Sequence, residues 1–175
     1  MARIAIIGFM AVGKTSVAKL LAGRLNYEII DTDEWIAEEQ DMSIGEIFET
    51  YGEAYFRQLE HETILRCTKQ ENVVIATGGG AVLSAKNRAV LKEACFLVSL
   101  TTDPQVILQR VQADGQTRPL LISDSEEPYQ RICRLQKERS AFYQEADLVI
   151  DTSDKSLLEI VELILEQLRT EGICQ

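Results

Sequence analysis

The chain has 175 residues, 46% hydrophobic and 26% charged, and its 28 acids against 18 bases give a formal net charge of −10. Length predicts one domain over residues 1–175 that buries about 70% of its unfolded surface, and the composition excludes a disordered chain. The acidic balance excludes a nucleic-acid groove, which needs a basic face, but not small anionic ligands held by local donors. No apolar run approaches the roughly 18 residues of a membrane span, and the amino end lacks the long apolar stretch of a secretory signal. Cys67, Cys95, Cys133 and Cys174 form no CxxC pair and read as free thiols in a reducing compartment. A soluble cytoplasmic protein is the expectation.

Short apolar runs at Arg3–Ile7, Glu28–Ile30, Val73–Ala76, Phe96–Leu100 and Leu148–Ile150 predict strands, several unbroken as in a parallel sheet covered on both faces. Helical patterns fall at Lys14–Leu25, Ser43–Glu71 in two pieces, Ala85–Lys92, Pro104–Val111, Glu126–Gln144 and Ser156–Arg169. Ser43-Ile44-Gly45-Glu46 fits a capping box, and Asp103-Pro104 fits an N-cap followed by a first-turn proline. The alternation predicts a doubly wound α/β domain with right-handed crossovers. Gln112–Ser125 lacks periodicity, and a loop of that length in a compact domain suits a lid over about 112–125.

Gly8-Phe9-Met10-Ala11-Val12-Gly13-Lys14-Thr15 matches GxxxxGK[ST] in full, between the strand Ile4-Ala5-Ile6-Ile7 and a helix opening at Ser16. Backbone N–H groups of such a loop converge on phosphate oxygens, and the helix dipole favours the anion there. Lys14 then reaches the β- and γ-phosphates and the Thr15 hydroxyl meets Mg²⁺, so the loop predicts triphosphate binding. Asp31-Thr32-Asp33 closes the second strand, where ligands of open α/β sheets gather. These acids read either as a metal-holding carboxylate beside a proton acceptor, or as a helix N-cap with a first-turn acid. Thr77-Gly78-Gly79-Gly80 closes the third strand and reads as close backbone approach to a ligand or as a tight turn. No acid ends that strand, so the Mg²⁺ duty of a Walker B carboxylate passes to Asp31.

Taken with Gly52-Glu53-Ala54-Tyr55-Phe56-Arg57-Gln58-Leu59-Glu60 and Arg118-Pro119-Leu120-Leu121, these motifs closely resemble shikimate kinases in order and spacing across nearly the whole chain. The resemblance implies the nucleoside-monophosphate-kinase-like group of P-loop NTPase folds: three layers, with a five-stranded parallel sheet in the order 2-3-1-4-5, and a lid. It implies transfer of the ATP γ-phosphate to the 3-hydroxyl of shikimate by a monomer, in the pathway to chorismate and the aromatic amino acids. It assigns ATP to Ala11, Val12, Gly13, Lys14, Thr15 and Ser16, with Arg110 and Lys155 near adenine and Arg118 reaching the phosphates from the lid. Mg²⁺ falls to Thr15 and Asp31. Shikimate falls to a region over about 33–61 and to Asp33, Arg57, Gly78, Gly79, Gly80 and Arg139, where Asp33 is the proton acceptor and the two arginines hold the carboxylate. Glu60 orients the substrate-site arginine. Asp33, Lys14 and Arg118 form the catalytic set.

The residues read alone agree with these roles. Arg57 and Glu60 share a helix face, and an arginine fork suits a carboxylate better than a lysine point charge, although such a pair also occurs as plain surface polarity. Three departures from the family pattern stand out. Ala11 replaces a glycine of the cradle, which implies a backbone position that tolerates a Cβ. Asp41 replaces a glycine and calls for left-handed geometry. Arg139-Ser140-Ala141 lacks the proline common two residues after this arginine. His61 reads as structural, and Asp124–Pro128 as a solvated helix start. The rivals are a gluconate kinase on the same fold and a nucleotide switch, the latter lacking NKxD and DxxG motifs. Lys14, Arg57, Arg118 and Arg139 are expected to converge in one positive pocket.

Overall fold

A computed structural model describes residues 2–114 and 126–174. Five parallel strands, β1 (Arg3–Gly8), β2 (Glu28–Asp31), β3 (Val73–Ala76), β4 (Phe96–Thr101) and β5 (Leu148–Asp151), form one sheet in the order β2-β3-β1-β4-β5. Around it pack α1 (Lys14–Leu25), α2 (Thr32–Gln40), α3 (Ile44–Cys67), α4 (Ala85–Ala94), α5 (Pro104–Asp114), α6 (Pro128–Tyr143) and α7 (Leu157–Thr170). This is the three-layer architecture of P-loop NTPases. Every strand lies within one residue of its sequence expectation, because an unbroken apolar run has nowhere to go but a sheet covered on both faces.

Period-two alternation builds two cores from one strand. On β1, Ile4 and Ile6 face α1 and α7, packing with Val17, Leu21, Ile160 and Ile164. Ala5 and Ile7 face the other layer, with Ile64, Leu91, Ile107 and Ile132. A third, small cluster of Ile36, Ile47 and Phe56 joins α2 to α3. Cys67 and Cys95 lie in the second core as free thiols, and burial pushes each up to about 12. Among the described residues, no helix is long and apolar enough to cross a membrane.

The capping box at Ser43 and Glu46 forms, and the Asp103 carboxylate accepts the Gln105 N–H at 2.7 Å at the start of α5. α3 is interrupted at Gly52 (φ 82°, ψ 171°), the expected division into two pieces, and it ends at Cys67 rather than Glu71. Helix α2 is absent from the periodicity reading. Only Thr32 and Ile36 of it are buried, too few for a 3.6-residue pattern to emerge, and its start is fixed by a cap instead of by hydrophobic repetition. α5 runs to Asp114, three residues into the expected loop. The remainder of that loop, including Arg118 and the rest of the lid assignment, lies outside the described residues.

Ile164 is fully buried between α7 and the sheet, whereas the Arg24–Glu162 ion pair bounding the same helix is nearly half exposed on both sides. Ile164→Ala is expected to cost about 3 kcal/mol of unfolding free energy and Glu162→Gln under about 1 kcal/mol, measured by urea denaturation.

Candidate active site

β1 delivers the chain into the cradle at Gly8, where a Cβ would lie 2.5 Å from the Leu100 carbonyl oxygen, so only glycine fits against β4. The loop closes on α1 with Gly13 as N-cap and no side-chain cap. The first-turn N–H groups of a helix have no acceptor within it, and the dipole favours an anion in front of them. Lys14 is buried, and its Nζ donates to the carbonyls of Gly8 at 3.0 Å and Phe9 at 2.9 Å. Ala11 adopts φ 57°, so the cradle asks a left-handed conformation of a residue with a Cβ. The expectation of a Cβ-tolerant position is thereby narrowed: the methyl fits, but the backbone angle is one that favours glycine.

Asp31 caps α2 with one oxygen and turns the other to the cradle. Its Oδ1 accepts the N–H groups of Asp33 at 3.0 Å and Glu34 at 3.3 Å, capping α2. Its Oδ2 accepts the Thr15 hydroxyl at 2.6 Å, which sets two hard oxygen donors side by side at the mouth of the cradle. That set suits Mg²⁺, which takes one or two protein oxygens and completes its octahedron with water and phosphate. Asp41, at the far end of α2, takes the left-handed geometry expected of it (φ 50°, ψ 37°).

The glycine run is where the site side chains meet. A Cβ on Gly78 would sit 2.6 Å from Asp33 Oδ1 and 3.0 Å from Glu60 Oε1. On Gly79 it would meet the Met10 backbone N at 3.1 Å, and on Gly80 the Arg57 guanidinium at 2.6–2.9 Å. The close approach read from the three glycines is therefore made by the protein's own side chains. Thr32 Oγ1 accepts the Gly78 N–H at 3.0 Å, and Arg139 Nη1 donates to the Gly79 carbonyl at 3.2 Å. Arg139 is buried, with its guanidinium 5.3 Å from the Phe9 ring centre. Ala141, in place of proline, keeps α6 continuous to Tyr143, one turn beyond Arg139. Burial pushes the Tyr143 phenol up while nearby Arg139 pulls it down, although no hydrogen bond of good geometry joins them.

Arg57 is held between two acids. Its Nη1 donates to both Glu60 oxygens at 3.1 and 3.0 Å, and its Nε and Nη2 each donate to Glu53 Oε1 at 3.2 Å. Glu60 is fully buried: desolvation raises its carboxyl, Arg57 opposes that rise, and Asp33 adds to it. Glu53 and Thr32 received no role from sequence. The legible signal for Glu53 was its i,i+4 spacing to Arg57; for Thr32 there was none. His61 is structural: Asn87 Nδ2 donates to Ala81 O, so Asn87 Oδ1 accepts from His61 Nδ1 at 2.7 Å.

A cleft of about 880 Å³ joins the cradle to these acids, walled by Lys14, Thr15, Asp31, Asp33, Gly79 and Arg110 among others; Ala11, Gly13 and Ser16 also line it. Arg110 Nη1 donates to the carbonyls of Ala11 and Val12, both at 3.0 Å. Lys155 lies in the turn after β5, where hydrogen bonds from Ser153 and Ser156 hold the Asp151 and Glu159 carboxyls below the usual range and Lys155 adds a smaller pull on both. Lys14, Arg57 and Arg139 thus converge around the cradle and glycine run.

Sheet order, phosphate cradle and the adjoining acid-and-arginine pocket place the chain among the P-loop nucleotide-dependent phosphotransferases. A family model described as shikimate kinase matches residues 10–169, and the chain belongs to the shikimate kinase family. A shikimate kinase of Thermoanaerobacter pseudethanolicus is 39% identical over 166 residues, covering 95% of each chain. One of Geobacter sulfurreducens is 44% identical over 158 residues, covering 90% of this chain and 86% of the relative. The solved shikimate kinase of Acinetobacter baumannii, in complex with shikimate, superposes with a TM-score of 0.91 at 34% identity over 98% of this chain and 94% of the other. A gluconokinase from Sinorhizobium meliloti superposes at 0.56 with 16% identity, over 92% and 87% of the two chains, and shares the fold alone.

Arg57→Ala leaves Glu60 buried without its main counter-charge, at an expected cost of about 3 kcal/mol near neutral pH. The folded-state pKa of Glu60 then rises further above its unfolded value, so the stability contributed by protonated Glu60 is fully present below the unfolded value and is lost as pH rises through the folded one. Urea melts at pH 5 and pH 8 should show the deficit relative to wild type widening at the higher pH.

Proposed function

We infer that the protein transfers the γ-phosphoryl group of ATP to the 3-hydroxyl of shikimate, giving shikimate 3-phosphate and ADP. The observation that carries this is the glycine run: one wall holds Asp33 against Gly78, Arg139 on Gly79 and Arg57 on Gly80, with the cradle's Met10 at its back. An acceptor bearing hydroxyls and a carboxylate matches that wall. Asp33 takes the proton of the attacking hydroxyl as its oxygen bonds to the γ-phosphorus and the bond to the β-phosphate bridging oxygen breaks. Arg57 and Arg139 hold the carboxylate, and Gly78, Gly79 and Gly80 are assigned to the acceptor on the family resemblance, their missing side chains making the room in which Asp33 and Arg57 stand. Glu60 and Glu53 aim the Arg57 fork.

On the nucleotide side, Ala11 through Ser16 supply backbone donors, and Lys14 stabilises charge on the transferring group. Thr15 and Asp31 would hold Mg²⁺, which supplies charge neutralisation at the β- and γ-phosphate oxygens. Arg118 is assigned to the phosphates, and Arg110 and Lys155 to the adenosine end, on the family resemblance. One kinase domain with its acceptor region over about 33–61 completes the proposal. A monomer is proposed on the family resemblance, and free thiols at all four cysteines support the reducing cytoplasm.

A panel of polyhydroxy acids with ATP, scored by product mass, is expected to give a phosphorylated product with shikimate; turnover of gluconate with none of shikimate would overturn the reading. Lys14→Ala is expected to lower kcat at least about a hundredfold. Gly80→Ala, whose Cβ displaces the Arg57 fork, should raise the shikimate KM about tenfold while leaving the ATP KM unchanged. An unchanged shikimate KM in both Gly80→Ala and Arg57→Ala would refute the carboxylate clamp.

A further inference from the structure

Two observations meet at one turn of the cradle. Ala11 carries a Cβ at φ 57°, a conformation that an L-residue leaves readily unless its surroundings hold it. Arg110, 99 residues further along on α5, places Nη1 within 3.0 Å of the carbonyl oxygens of both Ala11 and Val12. The same nitrogen lies 3.9 Å from the point where a Cβ on Gly13 would stand, so the guanidinium runs along the outside of the turn.

The C=O and N–H of adjoining residues share one planar trans peptide and point in opposite directions. A guanidinium that draws the carbonyls of Ala11 and Val12 to one side therefore turns the N–H groups of Val12 and Gly13 to the other. The Val12 N–H closes the turn on the Phe9 carbonyl at 3.4 Å, the same carbonyl that accepts the Lys14 ammonium, which leaves the Gly13 N–H as the amide turned to the cradle. Glycine at position 11 would reach the left-handed region without a Cβ penalty. With alanine there, the geometry has to be enforced from outside, and Arg110 is placed to do it with charge-assisted bonds.

We propose that Arg110 is a positioning residue for the phosphate cradle, holding the left-handed Ala11–Val12 turn so that the Gly13 amide faces the polyphosphate, and that this contact, not one with the base, carries its share of nucleotide affinity. This rests on the reading of the cradle as the ATP phosphate site. A ligand with phosphates and no nucleoside separates the two roles. Arg110→Met is expected to weaken binding of Mg²⁺-tripolyphosphate and of Mg²⁺-ATP by the same factor, about tenfold by titration calorimetry. Arg110→Lys, which keeps the charge and a donor, should recover part of that loss. In an Ala11→Gly background the same Arg110→Met change should cost only about twofold, because glycine holds the turn without help.

The shikimate KM should not move in any of these variants, and thermal melts confirm that each is folded, Arg110 being exposed on its helix. A loss confined to ATP, with tripolyphosphate binding unchanged, would assign Arg110 to the nucleoside and overturn the proposal. An equal loss in the wild-type and Ala11→Gly backgrounds would overturn it too, reducing Arg110 to a nearby positive charge. A wild type that bound neither ligand would overturn the nucleotide reading and this inference with it, and that failure is distinguished by appearing before any substitution is made.

Discussion

The site depends on three consecutive residues that have no side chains. Gly78, Gly79 and Gly80 leave β3 as bare backbone, and the space their Cβ atoms would occupy is taken by Asp33, Glu60, the Met10 backbone and the Arg57 guanidinium. Acceptor acids, arginines and phosphate loop can share one wall only because that wall is one backbone thick. The β3–β1 register and the Thr32–Gly78 and Arg139–Gly79 hydrogen bonds then fix the wall against the sheet and against α2 and α6. Any side chain introduced there must push a functional group aside, whatever its own chemistry.

Electrostatics explains how an acidic protein makes a pocket for two anions. The chain carries −10 overall, yet Lys14, Arg57 and Arg139, distant in sequence, are folded to the cradle and the glycine run. Acids stand behind Arg57 and aim it, while backbone carbonyls receive Lys14 and Arg139. Buried Glu60 alone is an expensive group, raised by desolvation, and with Arg57 it becomes the fixed end of a fork whose other edge is steadied by exposed Glu53. The cost of burying that carboxylate is balanced by where it directs the guanidinium.

Much of this was legible in the sequence, for identifiable reasons. The strands are apolar runs with no alternative partner, and GxxxxGKT between a strand and a helix allows one local geometry, so β1, the cradle and α1 could be read directly. Asp31 could not be assigned from sequence to a cap or to the cradle, because one of its oxygens caps α2 and the other meets the Thr15 hydroxyl. Helix α2 was missed because a cap and one buried pair leave no periodic trace. The Arg110–Ala11 contact was invisible because nothing local links residues 99 apart, and the alanine substitution alone says only that a methyl is accommodated, not at what backbone angle. Glu53 was within reach, since i,i+4 spacing to Arg57 is a helix-surface rule that needs no fold.

The small cluster of Ile36, Ile47 and Phe56 carries a consequence for local stability. The two sheet cores each draw on many buried side chains, whereas the layer of α2 and α3 that the proposed function assigns to the acceptor is closed by three, with Gly52 interrupting the helix that ties it to the rest. A layer with so little apolar burial opens at a free energy well below that of global unfolding. Its amides should exchange with solvent as a separate cooperative unit, ahead of those in β1 and α7, so the layer proposed to meet the acceptor is also the one that can part from the sheet without unfolding it.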